Sequence, residues 1–432
     1  MTRDASPSAP AKAARGASLV FVFLVVLIDM MGFGIIMPVL PALITDLTGG
    51  SIAEAAVDAG WLAFAYAGMQ FLFGPVMGNL SDRFGRRPVL LACLGMYGIG
   101  YAMMGWAPTL AWLYAARIVT GVTGASFSVA YAYIADITPP ERRAQNFGLI
   151  GMAFGVGFIF GPALGGILGE FGTRLPFFAA SGLAAINFLF GLVMLKESLA
   201  QDKRRPFSLI RSNALSAMRA LGGQNRVVLW YAAALVFFTT SGIVYPVIFA
   251  YYAIQAFGWT ELTIGLSLAL VGVGAALVQG GLIRIVVPRI GERRAVLIGF
   301  GAMLSANIIY CFATVPWLIF VAIPIGWFQG LIQPSVTGLM SRAVDDRRQG
   351  ELQGATSSLN SLAAVVGPPL FTAAFFLFTQ DSAPVYWPGA PYAVASVFAL
   401  VSLALFWRGS GLHYAGEGAD LPPDAETDAD VA

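Results

Sequence analysis

The sequence predicts an all-α membrane protein with twelve transmembrane helices arranged as two pseudo-symmetric six-helix bundles. Three observations predict it. Of 432 residues, 58% are hydrophobic and only 11% are charged, a balance outside soluble globular usage. The apolar residues gather into repeated runs of about 20 or more, the length a ~30 Å hydrocarbon layer demands at about 1.5 Å per helical residue. A register of motifs also recurs 206 residues apart. A barrel would instead show segments of about 10 residues alternating polar and apolar, whereas these runs are apolar on all sides.

The elements follow in order. Residues 1–16, rich in Ala, Pro and Ser with Arg3, Lys12 and Arg15, read as a disordered lead. The run from Ser18 to Leu47 is too long for the apolar region of a signal peptide, has no small-residue cleavage site and carries Asp29 in its middle, so it reads as the first span. Further spans are expected near 58–80, 87–106, 109–135, 143–169 and 175–195, completing a first bundle over 17–195. A linker over 196–225 holds Lys203, Arg204, Arg205, Arg211 and Arg219. The second bundle, 226–408, has spans near 226–256, 260–287, 292–314, 316–343, 349–378 and 388–408. Residues 409–432 carry six acids and no base after Gly416, and read as a solvated, disordered tail.

Basic residues give the orientation. With a cytoplasmic N-terminus, all 25 Lys and Arg except Arg117 and Arg174 fall in cytoplasmic segments. Twelve spans return the C-terminus to the same side. The repeat divides the chain at the linker: Phe84-Gly85-Arg86-Arg87 recurs as Ile290-Gly291-Glu292-Arg293, Gly161-Pro162 as Gly367-Pro368, and Asp136 as Arg342. Two parallel repeats related by an axis along the membrane normal are able to rock about a central site and open to each side in turn.

Several chemistries are excluded. Cys93 and Cys311 both lie in apolar runs and offer no disulfide or metal framework. The lone histidine, His413, lies in the tail, so no histidine serves a metal site or proton relay within the membrane. With one deep acid and no paired base, the chain supplies no catalytic constellation and is not expected to be an enzyme. No cofactor or metal is expected, and the partners are a small-molecule substrate and the bilayer, without nucleic acid, for a functional monomer.

Asp29 is the acidic residue deep inside a span, about 17 Å from the cytoplasmic face by helical rise. An isolated ionised carboxylate there costs several kcal/mol or more to desolvate, so it must be paired, protonated or wetted. Arg117, about 12 Å below the external face in span four, lies within roughly a turn of the same depth and is the expected partner. Burial favours the neutral acid and Arg117 the charged one, so Asp29 is expected to bind a proton or cation according to conformation. A static ion pair that fixes helix packing is the alternative, and Arg117 alone is also suited to an anionic substrate.

The segment Gly78-Asn-Leu-Ser-Asp82-Arg83-Phe-Gly85-Arg86-Arg87 joins spans two and three. Glycine permits a tight reversal and arginines anchor at headgroups. Asp82 is expected to accept bonds at the positive N-terminus of a neighbouring helix such as span eleven, latching the halves in one state, with Asp136 at the same level at the end of span four.

This loop resembles the signature of the major facilitator superfamily, and the resemblance extends from about Ile28 to Pro368. Arg117-Ile-Val-Thr-Gly121-Val-Thr-Gly124 looks like the family's fourth-span motif, which implicates its arginine in proton coupling. Gly157, Gly161, Pro162, Gly165 and Gly166 look like the fifth-span motif of antiporters; physically they make a small-residue face for close packing, with a bend at the proline. Ile28-Asp29-Met-Met-Gly32, Ser81 to Leu91, Tyr133-Ile-Ala-Asp136 and Gly350-Glu-Leu-Gln-Gly354 are similar to bacterial tetracycline/proton antiporters. That resemblance implies proton-driven drug export across a bacterial inner membrane, with Asp29 and Gln70 at positions that group uses. Gly100 and Met303 stand where those antiporters carry intramembrane aspartates, and Ala275 near the place of a histidine.

The residues expected to line the central cavity are Tyr66, Gln70, Ser126, Tyr131, Thr239, Thr240, Tyr245, Gln329, Gln333 and Asn360. Aromatic walls with a few neutral hydrogen-bonding groups suit amphipathic or cyclic molecules better than highly charged metabolites. Tyr and Gln also bridge helices inside bundles. The expectation is a proton-coupled exporter of amphipathic small molecules; the alternatives are an importer or facilitator of a sugar-like or organic solute, and a membrane receptor that moves nothing.

Overall fold

A computed structural model describes residues 9–124, 126–138, 143–208, 225–344 and 349–419. The first half contains α1 (Ala9–Ile36), α2 (Leu40–Thr48), α3 (Ile52–Phe84), α4 (Arg86–Gly105), α5 (Leu110–Thr123), α6 (Ser126–Ile137), α7 (Arg143–Phe171) and α8 (Leu175–Met194). The second contains α9 (Arg226–Gly242), α10 (Val244–Phe257), α11 (Glu261–Leu277), α12 (Ile283–Ile290), α13 (Glu292–Phe312), α14 (Trp317–Trp327), α15 (Ile332–Arg342), α16 (Gln349–Thr379) and α17 (Ala390–Ala419). Four expected spans are each broken into two helices, and span four is described as two helices on either side of residue 125. α1 and α2 meet at 49°, where Pro38 and Pro41 remove backbone donors from the expected continuous first span. A π turn, Val278–Leu282, joins α11 to α12, and a 3-10 turn, Phe328–Leu331, joins α14 to α15. The described helices thus follow the twelve expected spans in order. Nine of these rods, and the bent first pair as a tenth, contain a stretch long and apolar enough to cross a bilayer.

Boundaries differ from expectation where local chemistry extends a helix. Span two begins at Ile52 because Ser51 caps it: the Ser51 hydroxyl accepts from the Glu54 amide while the Glu54 carboxylate accepts from the Ser51 amide at 2.8 Å. The lead becomes helical from Ala9, in an alanine-rich stretch of high helix propensity. The last helix runs on to Ala419, past the expected end at 408.

The repeat is visible in three dimensions. Gly85 and Gly291, the corresponding glycines, both take positive φ, +104° and +77°, at the junction of two helices. Arg86 pairs with Asp136 at 3.2 Å, and at the matching positions Glu292 pairs with Arg342. The same two-residue lock therefore recurs with its charges exchanged.

The halves meet along two main seams, α3 on α16 and α7 on α11. Small residues make both. Gly60 lies directly against Thr372; on the other seam Gly166 faces the backbone of Glu261, Gly265 the carbonyl of Pro162, and Gly272 the backbone of Ile159. Apolar packing is unequal along the axis. Away from the basic loops one cluster joins both halves, from Ile35, Leu43, Ala56 and Tyr101 to Ile248, Tyr252, Ile264 and Phe371. At the basic end each half keeps its own cluster, one around Val25, Leu90, Leu94 and Tyr133, the other around Val228, Phe300, Val336 and Phe406. The molecule is thus fastened at one end and parted at the other.

Candidate functional site

Between the halves lies a cavity of about 500 Å³. The α1 face supplies Met30, Phe33, Ile36, Met37 and the following Leu40, at the three- and four-residue spacing that puts side chains on one stripe. α3 adds Ala59, Ala63, Tyr66, Ala67 and Gln70; Arg117 and Tyr131 complete the first half's wall. The second half contributes Ile243, Pro246, Val247, Ala250 and Tyr251, then Ala364 and Pro368. The wall is apolar and aromatic apart from Gln70 and one cation, Arg117.

Two glycines bring that cation to its place. A Cβ on Gly121 would lie 2.6 Å from the Tyr66 carbonyl, and one on Gly124 would lie 2.8 Å from the Tyr66 hydroxyl, so only glycine lets α5 pack this closely on α3. The Arg117 guanidinium consequently sits over the Tyr66 ring, 5.8 Å from its centroid. Gln70 donates to the Gly124 carbonyl at 3.0 Å, tying the same two helices together.

Asp29 lies one residue behind the α1 stripe and is 5% exposed. Ser126 lies beside its carboxylate, while Oδ1 has no partner among the described residues. The expected ion pair with Arg117 is not formed: the described ion pairs do not include it, and Arg117 Nε is itself without a partner. Arg117 faces the cavity and Asp29 the interior of its own half, which is why similar depth did not bring them together.

Three of the ten expected cavity residues line it: Tyr66, Gln70 and Tyr131. Of the others, Thr239, Tyr245 and Asn360 bridge helices. Ser126 lies beside Asp29. Thr239 donates to Asn360 at 2.9 Å, Tyr245 to Asn307 at 2.6 Å, and Thr240 to the Val236 carbonyl one turn back. Gln329 and Gln333 lie outside the lining, and Gln333 is exposed. The apolar lining residues that went unrecognised, Phe33, Met37, Val247 and Ala364 among them, carry no polar signal. Their only trace in the sequence was the α1 spacing and the prolines at 246 and 368.

At the basic end the loop after α3 is a charge cluster within the first half. Arg86, 8% exposed, bonds Asp82 at 2.6 Å, Asp136 at 3.2 Å and the Ser81 hydroxyl. Glu197, unnoticed in the sequence, accepts from the Arg86 and Arg87 amides at 2.8 and 3.3 Å, placing a carboxylate on the positive N-terminus of α4. Glycine is favoured at position 85 because its φ of +104° strains any other side chain. Arg87 caps the Leu192 carbonyl at 2.9 Å, and Arg83 lies over Phe84 at 5.1 Å. Gly78 lies near Ser128 of α6. The linker is drawn in as well: Arg205 N donates to the Asp82 carbonyl, and Asn79 to the Ser208 carbonyl at 2.6 Å. The described bond of the Asp82 side chain runs to Arg86 of its own half; the latch expected at the start of span eleven falls on residues 345–348 and the side chains just after them, which lie outside the described ones.

The buried and exposed locks differ in expected strength. Replacing Arg86 by Gln strands two carboxylates and should cost about 2 kcal/mol. Arg342 is 58% exposed in its side chain, and Arg342→Gln should cost no more than about 1 kcal/mol. Thermal unfolding of the two variants in detergent checks the order.

The fifth-span glycines face two ways. A Cβ on Gly157 would lie 2.6 Å from Met30 Cβ, one on Gly161 2.7 Å from the Met31 carbonyl, and one on Gly165 would overlap the Ile35 backbone, all on α1. Gly166, one position on, faces Glu261 of the other half, and Pro162 receives Gly265. The expected small-residue face is therefore a two-sided seam holding α7 between α1 and α11. Gly100 would drive any side chain into Thr120, and Met303 is fully buried in the second half's apolar cluster. Both positions are packed rather than polar.

Two helical halves in a membrane, fastened at one end around an interfacial cavity, define a multi-pass membrane protein of the transporter class. The chain belongs to the Major Facilitator Superfamily, whose profile matches residues 22–287 and 231–425. It is 39% identical to the class C tetracycline resistance protein of Escherichia coli, over 91% of this chain and 97% of that one. It is 36% identical to the class G tetracycline resistance protein of Vibrio anguillarum, over 91% and 98%. In fold it is similar to a bacterial homologue of the human lysosomal transporter Spinster, with a TM-score of 0.73 over 94% of this chain and 98% of that one at 16% identity.

Proposed function

We propose that this protein is a secondary active transporter that exports amphipathic small molecules across a bacterial inner membrane in exchange for protons. The observation that carries the reading is the cavity walled by both halves, mainly apolar, with a buried carboxylate one residue behind its lining. The distribution of Lys and Arg supports a basic end, and both termini, in the cytoplasm. The parted end then faces inside, so the conformation is inward-open. Substrate enters from the cytoplasm or inner leaflet and rests against Phe33, Tyr66 and Val247 beside Arg117. Asp29 exchanges the proton. Rocking about the α3–α16 and α7–α11 seams opens the far cluster and closes the basic end, where the Asp82 loop serves as latch. The cavity is complete within one chain, so a monomer suffices.

The names of the relatives make tetracycline the first probe. In proteoliposomes with an acidic lumen, molecules oriented with the basic end outward should concentrate tetracycline inside, and collapsing the pH gradient should release it. Equilibration without concentration would indicate a facilitator. Binding without any flux would indicate a receptor.

A further inference from the structure

A second hollow lies far from the central cavity, where α9 begins and α17 leaves the bundle. It has a volume of about 640 Å³ and is lined by Arg226, Leu229, Trp230, Ala233, Arg408 and Gly411. Two arginines stand on its rim. Arg408 is held over the Trp230 ring, 5.0 Å from the centroid, and Gly409 lets α17 pack directly onto Trp230 and Tyr231. Neither Arg226 nor Arg408 has a carboxylate partner among the described ion pairs. Below the rim the wall is Leu229 and Ala233, and the outer surface continues with exposed Val401 and Leu400 of α17.

The layers are ordered by depth: two guanidiniums without an ion-pair partner among the described residues at the level of the basic loops, Leu229 and the Trp230 indole beneath them, then Ala233 toward mid-membrane. Guanidiniums bind phosphate oxygens in fork geometry, tryptophan prefers the headgroup level, and basic pockets between helices on the cytoplasmic side suit anionic headgroups. We propose that this groove is a binding site for one anionic phospholipid, its phosphodiester between Arg226 and Arg408 and its acyl chains along Leu229 and Ala233. The lipid joins the first and last helices of the second half at their cytoplasmic ends. The site is independent of the transport reading.

Native mass spectrometry of the full-length protein tests it, with phosphatidylglycerol and phosphatidylcholine as probes. The wild type should retain one phosphatidylglycerol at concentrations where phosphatidylcholine dissociates. Arg226→Gln/Arg408→Gln should bind phosphatidylglycerol roughly tenfold more weakly, while Arg284→Gln, an exposed arginine of α12 outside the groove, should leave it unchanged. The comparison of lipids on the wild type stands even if the double variant folds poorly. Equal retention of both lipids would overturn the assignment, as would equal loss in the Arg284 variant. Inorganic phosphate binding as tightly as the lipid would make this a free-anion site. Stronger lipid binding after removal of residues 420–432 would assign the groove to the acidic tail. Either result would also overturn it.

Discussion

Asp29→Asn is expected to abolish concentration of substrate against its gradient, reducing pH-driven accumulation in proteoliposomes to that of protein-free vesicles, while downhill exchange survives. The substitution keeps the shape of the side chain, so the α1 stripe that lines the cavity should keep its place. It removes only the capacity to gain and lose a proton. The structure makes this position decisive because Asp29 is buried, has one oxygen without a partner and is not neutralised by Arg117. A buried carboxylate in that state responds to any change in hydration as the halves tilt. Undiminished uphill transport by the variant would remove Asp29 from the coupling mechanism.

The second large effect is structural. Gly165→Leu should destabilise the protein by about 1–3 kcal/mol and stop transport. A side chain there overlaps the Ile35 backbone, and the neighbouring Gly161 already lies at contact distance from Met31. Forcing α7 away from α1 displaces the helix that carries Asp29, Phe33 and Met37, and loosens the α7–α11 seam behind it. Gly182→Leu provides the control, because a Cβ at Gly182 meets nothing within 4 Å. A fluorescence-detected thermal shift should separate the two variants; equal stability would mean that the seam tolerates separation.

The architecture was legible because it follows from composition and length. Runs of apolar residues fix helices in a bilayer, and the 206-residue register anticipated both the paired positive-φ glycines and the matched locks at Asp136 and Arg342. The fifth-span glycines were readable for the same reason, since spacing along one helix determines which residues share a face. What escaped was azimuth between helices. Asp29 and Arg117 match in depth but face different spaces, and depth is all that counting residues supplies. Thr239, Tyr245 and Asn360 looked like ligand contacts, yet in an apolar interior such groups satisfy one another first. Glu197 escaped because its role depends on a contact with residues more than a hundred positions earlier.

The charge-exchanged lock has a consequence for the conformational cycle. Arg86 is buried between Asp82 and Asp136, whereas the Arg342–Glu292 pair is largely open to solvent. The first half therefore holds its basic end more rigidly than the second does. During closure the second half's basic end is the part expected to adjust, with the Asp82 loop offering a preformed surface.

The central claim is that one interfacial cavity exchanges substrate for protons. The most direct test loads proteoliposomes with a pH-sensitive dye and imposes a tetracycline gradient with no initial pH difference. Wild-type protein should drive protons in the direction opposite to the drug, and Asp29→Asn should move none. Drug flux without accompanying proton movement in the wild type would contradict the account.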